Sequence, residues 1–264
     1  MRRPAAAGTF YSRDAHELRR SIAGAFHGLE RAALPAYGAV VPHAGYMYSG
    51  KVAAEVYARL PKRETYVLIG PNHTGHGLPV ALSRESWMTP FGVVDCDIEL
   101  ADSLIGSIIE GDEFAHMYEH SIEVQLPFLQ HCFSDFKILP ISMGFQDEEV
   151  AVEVGEAISR AAIDLGRSCT VIASSDFTHY EPHELALKKD RYVIESALKM
   201  DVGELYRRVY AQNVTACGYG PIAATITASR LLGATSGKLL RYSTSGDVTG
   251  DYAQVVGYGA IVFL

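Results

Sequence analysis

The segment Thr170-Val-Ile-Ala-Ser-Ser-Asp-Phe-Thr-His179 joins a short apolar run to a polar turn that carries two ionisable side chains. The run at residues 170–173 is typical of a strand that is buried on both faces of a helix-covered sheet. Asp176 and His179 follow it directly. A buried strand followed by a chemically active turn is typical of the carboxyl edge of an open α/β sheet, where ligands bind.

Two other apolar runs end in the same kind of turn. His43 comes two residues after the run at 37–41, and His73 comes four residues after the run at 66–69. Because the carboxyl ends of parallel strands share one edge of a sheet, we expect the three turns to meet there. Further strands are predicted at residues 136–141 and 255–263.

Helical patterns fill most of the gaps between the strands. After Ser12, a candidate N-cap, the apolar residues Leu18, Ile22 and Phe26 recur every four residues. Further helices are predicted at residues 50–60, 98–109, 121–133, 148–165, 183–200, 202–210 and 221–232. The chain has no linker, low-complexity tract or repeat, so the pattern predicts one α/β domain over residues 1–264.

Composition excludes several classes of protein. The 264 residues are 48% hydrophobic, which is enough for a large core, and the net charge of -8 disfavours binding to nucleic acid. The longest uncharged stretch, 209–229, contains Gln212 and Asn213, so we expect no membrane span. No apolar signal-peptide core precedes Asp14, and the four cysteines form no C-x-x-C pair. We therefore expect a soluble, cytoplasmic protein.

The candidate site residues are chosen by their local context. Gly45 allows a ligand to approach His43 closely, and a Gly-Pro turn precedes His73. Asp176 is either a site residue or a turn cap. Cys217 stands before two glycines and a predicted helix start, a position that favours a reactive thiolate, although most free cysteines are small buried apolar residues.

Two familiar motifs are set aside. The stretch 218–223 fits G-x-G-x-x-A, but no convincing strand precedes it, so we expect no nucleotide cofactor. His116-Met-Tyr-Glu119-His120 fits the zinc motif H-x-x-E-H, but it lies before Ser121, the expected cap of the next helix. We interpret this match as accidental.

A set of short motifs closely resembles the Memo family, also called AmmeMemoRadiSam system protein B. In chain order these are Ala-Gly-Thr-Phe-Tyr at 7–11, Pro-His-Ala-Gly-Tyr at 42–46, Gly-Pro-Asn-His at 70–73, Glu-His-Ser-Ile-Glu at 119–123, Ser-Ser-Asp-Phe-Thr-His at 174–179 and Cys-Gly at 217–218 with Pro-Ile at 221–222. Their order and spacing agree over nearly the whole chain. The resemblance implies a central mixed β-sheet flanked by helices on both faces, similar to the class III extradiol dioxygenases.

The resemblance also implies a site. By motif, the family's proposed metal ligands become His43, His73 and Cys217, and the cofactor becomes iron or copper, with zinc as an alternative. Asp176 and His179 take the catalytic positions in the same pocket. We further assign Tyr46 and His120, which lie within the shared motifs, to the substrate pocket.

The third ligand is open at this stage and decides the chemistry. Two imidazoles with Cys217 suit Fe(II), Cu or Zn, with the thiolate favouring the softer metals, and predict metal-mediated redox chemistry or metal storage alone. Two imidazoles with Asp176 instead form the facial triad of non-haem iron oxygenases. With that triad, His179 becomes the acid/base for a catechol-like substrate. Cys217 acting as a nucleophile with His179 as its base is a further alternative.

Three functions are therefore compared. The first is a strand-end pocket that binds a redox-active metal and carries metal-dependent redox chemistry. The second is an interaction module without turnover, since eukaryotic members of the family are associated with cell motility and with phosphotyrosine peptides of a receptor. The third is an extradiol-type aromatic dioxygenase. The ligand is a small molecule or a peptide, and family gene neighbourhoods indicate a radical SAM or AMMECR-type protein as a partner.

Overall fold

Strands and helices alternate along the chain in the computed structural model, which describes residues 1–106 and 108–264. The strands are β1 (Gly38–Val41), β2 (Thr65–Pro71), β3 (Val80–Leu82), β4 (Trp87–Thr89), β5 (Gly92–Val94), β6 (Glu110–Gly111), β7 (Lys137–Met143), β8 (Cys169–Ser174), β9 (His179–Glu181), β10 (Gly237–Thr244) and β11 (Val255–Phe263). The helices are α1 (Ala15–Ala25), α2 (Tyr46–Tyr57), α3 (Ile98–Leu104), a 3-10 helix (Glu123–Gln125), α4 (Leu126–Cys132), α5 (Glu148–Asp164), α6 (His183–Leu198), α7 (Val202–Ala211), α8 (Tyr219–Leu232) and α9 (Gly246–Thr249).

One mixed sheet organises the molecule. Within the described residues it has nine strands in the order β10-β11-β1-β8-β2-β7-β3-β6, with β9 paired to β11. Its centre, β1, β8, β2 and β7, is parallel, whereas β11 runs antiparallel to both β1 and β10. β4 and β5 form a separate hairpin. The predicted single α/β domain with a mixed central sheet is confirmed.

Each face of the sheet has its own hydrophobic core, because successive side chains of a strand point to opposite faces. From β2, Val67 and Ile69 enter the core formed with α3, α5, α6, α7 and α8. Tyr66 and Leu68 enter the core formed with α1, α2 and α4. Strands that are buried on both faces need apolar residues at every position, which explains the nearly continuous apolar runs in the sequence.

Each predicted strand is present, and its observed ends lie within three residues of the predicted ends. The last predicted strand, 255–263, coincides with β11. The predicted helix at 98–109 ends at Leu104, because Ile105 is extended and Gly106 has a φ of +97°; residue 107 lies outside the described residues. The predicted helix at 121–133 divides into the 3-10 helix and α4. The cap of α1 is Asp14 rather than Ser12, since the Asp14 side chain accepts from the backbone N–H of Glu17.

The helices of the described residues include none that is long and apolar enough to span a membrane.

The sheet brings the predicted turns together. β8 lies between β1 and β2, and all three run in the same direction. His43, His73 and Asp176 each come two residues after the end of their strand. Cys217 stands just before the first turn of α8, which packs on β8 and β1.

Candidate metal centre

His43 is buried in the turn between β1 and α2, with 3% of its surface exposed. Its Nδ1 lies 3.0 Å from Ser174 Oγ, and its backbone N–H donates to Asp176 Oδ1 over 2.8 Å. Burial, followed by the neighbouring imidazoles of His120 and His73, lowers the pKa of His43 well below its usual range. The ring is therefore neutral at physiological pH, which is the form that binds metals.

His73 occupies the turn after β2 and is held by Glu119. Glu119 Oε1 lies 3.0 Å from His73 Nδ1. Glu119 Oε2 accepts a hydrogen bond from the backbone N–H of His73 over 2.6 Å. Burial alone would raise the pKa of Glu119, but hydrogen bonds from His73 and from the backbone of Ser121 outweigh it and lower the pKa to about 2. An ionised carboxylate on Nδ1 leaves Nε2 as the free nitrogen of His73, an arrangement typical of metal-binding histidines.

Cys217 is in direct contact with His43. Its Sγ lies 3.2 Å from His43 Nε2 and accepts the backbone N–H of Asp176 over 3.3 Å. Burial, followed by the nearby Asp176 carboxylate, raises the pKa of the thiol. This direction is opposite to the one expected from the start of α8, because burial disfavours the charged form of the thiol. A cation would have to displace the thiol proton on binding.

His43, His73 and Cys217 each offer one ligand atom, and these three atoms lie within 4.8 Å of one another. Ligand atoms on one tetrahedral ion, at metal distances of about 2.0–2.3 Å, lie roughly 3.3–3.8 Å apart. Small side-chain rotations therefore suffice to fit one ion. Two imidazoles and a thiol are also a donor set that iron, copper and zinc accept, so the residues fit the expected metal.

Asp176 lies next to His43 and Cys217, where it forms hydrogen bonds with the backbone of the segments that carry them. Its buried carboxylate accepts the backbone N–H groups of His43 and Ala44, and its carbonyl oxygen accepts the N–H of Cys217 over 3.2 Å. Burial raises the pKa of Asp176 to about 6. Asp176 thus links the backbones that carry two of the three clustered residues.

His179 is the first residue of β9, and it forms hydrogen bonds with Thr215. Its Nδ1 lies 2.9 Å from the carbonyl oxygen of Thr215, and its backbone N–H donates to Thr215 Oγ1. His179 is half-buried and lies outside the group formed by His43, His73 and Cys217, but its charge acts on the pKa values of both His43 and Asp176.

The two predicted pocket residues have different surroundings. The His120 ring lies 4.7 Å from that of His73 and 5.3 Å from that of His43, and it stacks on Phe10 at 4.2 Å between ring centroids. Burial lowers the pKa of His120 to about 4. Tyr46 instead donates its hydroxyl to the carbonyl of Val124 over 2.6 Å, so that hydroxyl is committed to the fold.

Glu119 is the residue that the sequence analysis missed. It lies in the H-x-x-E-H match that was set aside, and the zinc-helix interpretation is indeed wrong, because His116 is buried against Trp87 instead. Glu119 and His120 nevertheless reach the site.

His73, Glu119 and His120 form a second group of possible metal ligands. Glu119, however, accepts four N–H groups: Nδ1 and the backbone N–H of His73, and the backbone N–H groups of His120 and Ser121. Its oxygens are therefore engaged as hydrogen-bond acceptors.

Fold and site together define an α/β protein with a candidate centre for one metal ion at the carboxyl edge of its sheet. The family model described as Memo-like protein matches residues 2–262, and the chain belongs to the Memo family. A MEMO1 family protein of Methanococcoides burtonii is 57% identical over 263 residues, covering 99% of each chain. One from Methanosarcina acetivorans is 56% identical, covering 99% of this chain and 98% of the other.

A solved structure supports the fold. The crystal structure of an uncharacterized protein from Escherichia coli K12 has a TM-score of 0.59, covers 85% of this chain and 98% of its own, and is 13% identical. At that identity the similarity concerns the fold alone.

Proposed function

We propose that this protein binds one redox-active metal ion, iron or copper, through His43 Nε2, His73 Nε2 and Cys217 Sγ. The observation that carries the proposal is that one ligand atom from each of the three residues lies within 4.8 Å of one from each of the others. Nδ1 of each imidazole already has a hydrogen-bonding partner, Ser174 for His43 and Glu119 for His73. Both Nε2 atoms are therefore the nitrogens left for a metal.

A bound iron or copper ion supplies one-electron redox chemistry to the pocket. The chain's own residues would hold and serve the site. Glu119 orients the His73 ring, and Asp176 ties the His43 turn to Cys217. His120 is neutral near pH 7 and lies next to the ligands, so its imidazole can form a hydrogen bond with a bound substrate.

The extradiol-type dioxygenase is a weaker candidate on this geometry. It needs Asp176 as the third ligand, yet that carboxylate accepts the backbone N–H groups of His43 and Ala44. The observation in its favour is that His179, the acid/base of this candidate, is close enough to lower the pKa values of both His43 and Asp176. Failure of the Fe(II)-loaded protein to cleave a panel of catechols would count against it.

The second class of candidate is an interaction module that binds a peptide without turnover. Tyr180, which follows His179, is 72% exposed, and Tyr118, which precedes Glu119, is 62% exposed, so both offer free aromatic surface. Tight binding of a phosphotyrosine peptide by metal-free protein would favour this candidate. Metal-dependent uptake of O2 would favour the redox function instead. A radical SAM or AMMECR-type protein is the macromolecular partner to test in the same binding assay.

The metal proposal is tested by elemental analysis of protein purified without oxygen. We expect about one iron or copper per chain in the natural protein and strong loss in His43→Ala and Cys217→Ala. His27→Ala and Cys132→Ala are matched controls, because His27 is exposed at the end of α1 and Cys132 lies at the end of α4. Stoichiometric iron or copper in both site variants would overturn the assignment.

A further inference from the structure

A buried chain of hydrogen bonds leads away from His43 into the core. Ser174 Oγ lies 3.0 Å from His43 Nδ1, Gln125 Nε2 donates to Ser174 Oγ over 2.8 Å, and the Tyr57 hydroxyl donates to Gln125 Oε1 over 2.8 Å. Each of these residues has at most 3% of its surface exposed. We call these three supporting residues, Ser174, Gln125 and Tyr57, the His43 relay.

The direction of each bond in the relay follows from counting protons. Gln125 Nε2 also donates to the carbonyl oxygen of Pro42 over 3.0 Å. Because a carbonyl oxygen can only accept, the amide nitrogen must face Pro42, and the Gln125 orientation is fixed. Ser174 has a single hydroxyl proton, which it donates to the carbonyl oxygen of Ser121 over 2.7 Å.

Only one role is then left for His43 Nδ1. Ser174 Oγ donates its single proton to the carbonyl oxygen of Ser121 and accepts a hydrogen bond from Gln125 Nε2. It has no second proton to donate, so in its contact with His43 it can only be the acceptor. Nδ1 must carry the imidazole proton, and the lone pair must be on Nε2. That atom lies 3.2 Å from Cys217 Sγ, on the side of the proposed metal.

We propose that Ser174 and Gln125 are positioning residues that fix His43 in the tautomer with Nδ1 protonated and Nε2 free for the metal. The inference rests on the proposed metal function. His73 is oriented by a carboxylate, whereas His43 is oriented by a neutral hydroxyl and amide. Groups that orient metal-binding histidines in this way typically contribute about 10–100-fold to metal affinity.

The first measurement needs no variant. Nitrogen-15 NMR of the metal-free protein at neutral pH reports which ring nitrogen of His43 carries the proton. We expect Nδ1 to be protonated and Nε2 to be unprotonated. A His43 ring protonated at Nε2, or an even mixture of the two tautomers, would overturn the proposal whether or not the protein binds metal.

The second measurement compares two serine variants. Ser174→Ala removes the acceptor of the Nδ1 proton, so we expect a mixture of tautomers and affinity for Zn(II), measured by competition with a chromophoric chelator, that is about 10–100-fold weaker. Ser142→Ala is the matched control, because Ser142 is fully buried in β7 and its hydroxyl has no hydrogen-bonding partner. We expect the control to keep both the natural tautomer and the natural affinity.

A third variant, Gln125→Met, keeps the side-chain length and removes the amide donors, and we expect a smaller loss of affinity with the same direction of tautomer change. Equal Zn(II) affinity in the natural protein and Ser174→Ala would refute the positioning role. A natural protein that binds no metal but shows the predicted tautomer would instead contradict the metal function and leave the hydrogen-bond assignment standing.

Discussion

Glu123→Ala should release the N-terminal segment from the rest of the molecule. Glu123 is fully buried, and its carboxylate accepts from Arg2 Nη1 over 2.6 Å, from the Tyr11 hydroxyl over 2.6 Å and from the backbone N–H of Ala6 over 2.9 Å. The alanine variant leaves the Arg2 guanidinium without its carboxylate in a buried position. Phe10, the ring that stacks on His120, belongs to the segment that this carboxylate ties down.

The size of the effect follows from these contacts. Breaking a buried ion pair from one side costs about 3–5 kcal/mol of unfolding free energy, and the buried N–H of Ala6 adds about 1–3 kcal/mol. Arg2 keeps two carbonyl acceptors, on His116 and Glu119, and its stacking on Trp87, which reduces the loss. We therefore expect a loss of about 4 kcal/mol, a large part of the ~5–15 kcal/mol that stabilises a typical domain.

Two assays check this expectation. Denaturant unfolding gives the free-energy difference, and amide hydrogen exchange tells whether residues 1–11 open before the rest of the chain. Glu153→Ala, on the exposed face of α5, is the control and should change stability by less than about 0.5 kcal/mol. A Glu123→Ala variant that loses less than about 1 kcal/mol and exchanges like the natural protein at Ala6 would refute the reasoning.

Three further predictions concern protons and burial. Because the pKa of the Cys217 thiol is raised, metal binding must release its proton, and metal affinity should rise about tenfold per pH unit between pH 6 and 8; affinity that is flat over this range in chelator competition would contradict it. Burial raises the pKa of Asp190 to about 6, so its neutral form is favoured in the fold and stability should fall by up to about 3 kcal/mol as pH rises from about 4 to above 6. Asp190→Asn should flatten that dependence in thermal unfolding, and an unchanged pH profile would exclude Asp190 as its source. Phe10→Ala exposes His120, whose pKa of about 4 results chiefly from burial, so NMR titration should find it closer to 6.5; a pKa that stays near 4 would show that other groups bury the ring.

The central strands could be predicted because they are buried on both faces. Tyr66 to Ile69 is apolar at every position, and the sequence alone marks it as a strand. β10 gives no such signal: Lys238 and Arg241 interrupt it, and it lies at the edge of the sheet, with one neighbouring strand. Edge strands are defined by their pairing, which a single sequence does not contain.

The candidate site was predictable to the extent that it follows strand ends. His43, His73 and Cys217 come together as expected, and the parallel order of β1, β8 and β2 accounts for two of the three. Glu119 was missed because its role depends on a long-range contact with His73, and the local motif that contains it was set aside as accidental. The burial that raises the pKa of Cys217 could not be predicted, because the extent of burial cannot be obtained from flanking glycines.

The position of β11 has a consequence for how the protein is made. This strand, Val255–Phe263, lies between β1 and β10, so Gly38–Val41 lacks its β11 neighbour until residues 255–263 have been synthesised. A ribosome adds roughly 5–20 residues per second, and the emerging chain therefore exposes one edge of β1 for more than ten seconds. The proposed ligand residues span positions 43 to 217. During translation, the proposed metal site can be assembled only after residues 43 to 217 have left the ribosome, so metal loading would follow folding rather than guide its early steps.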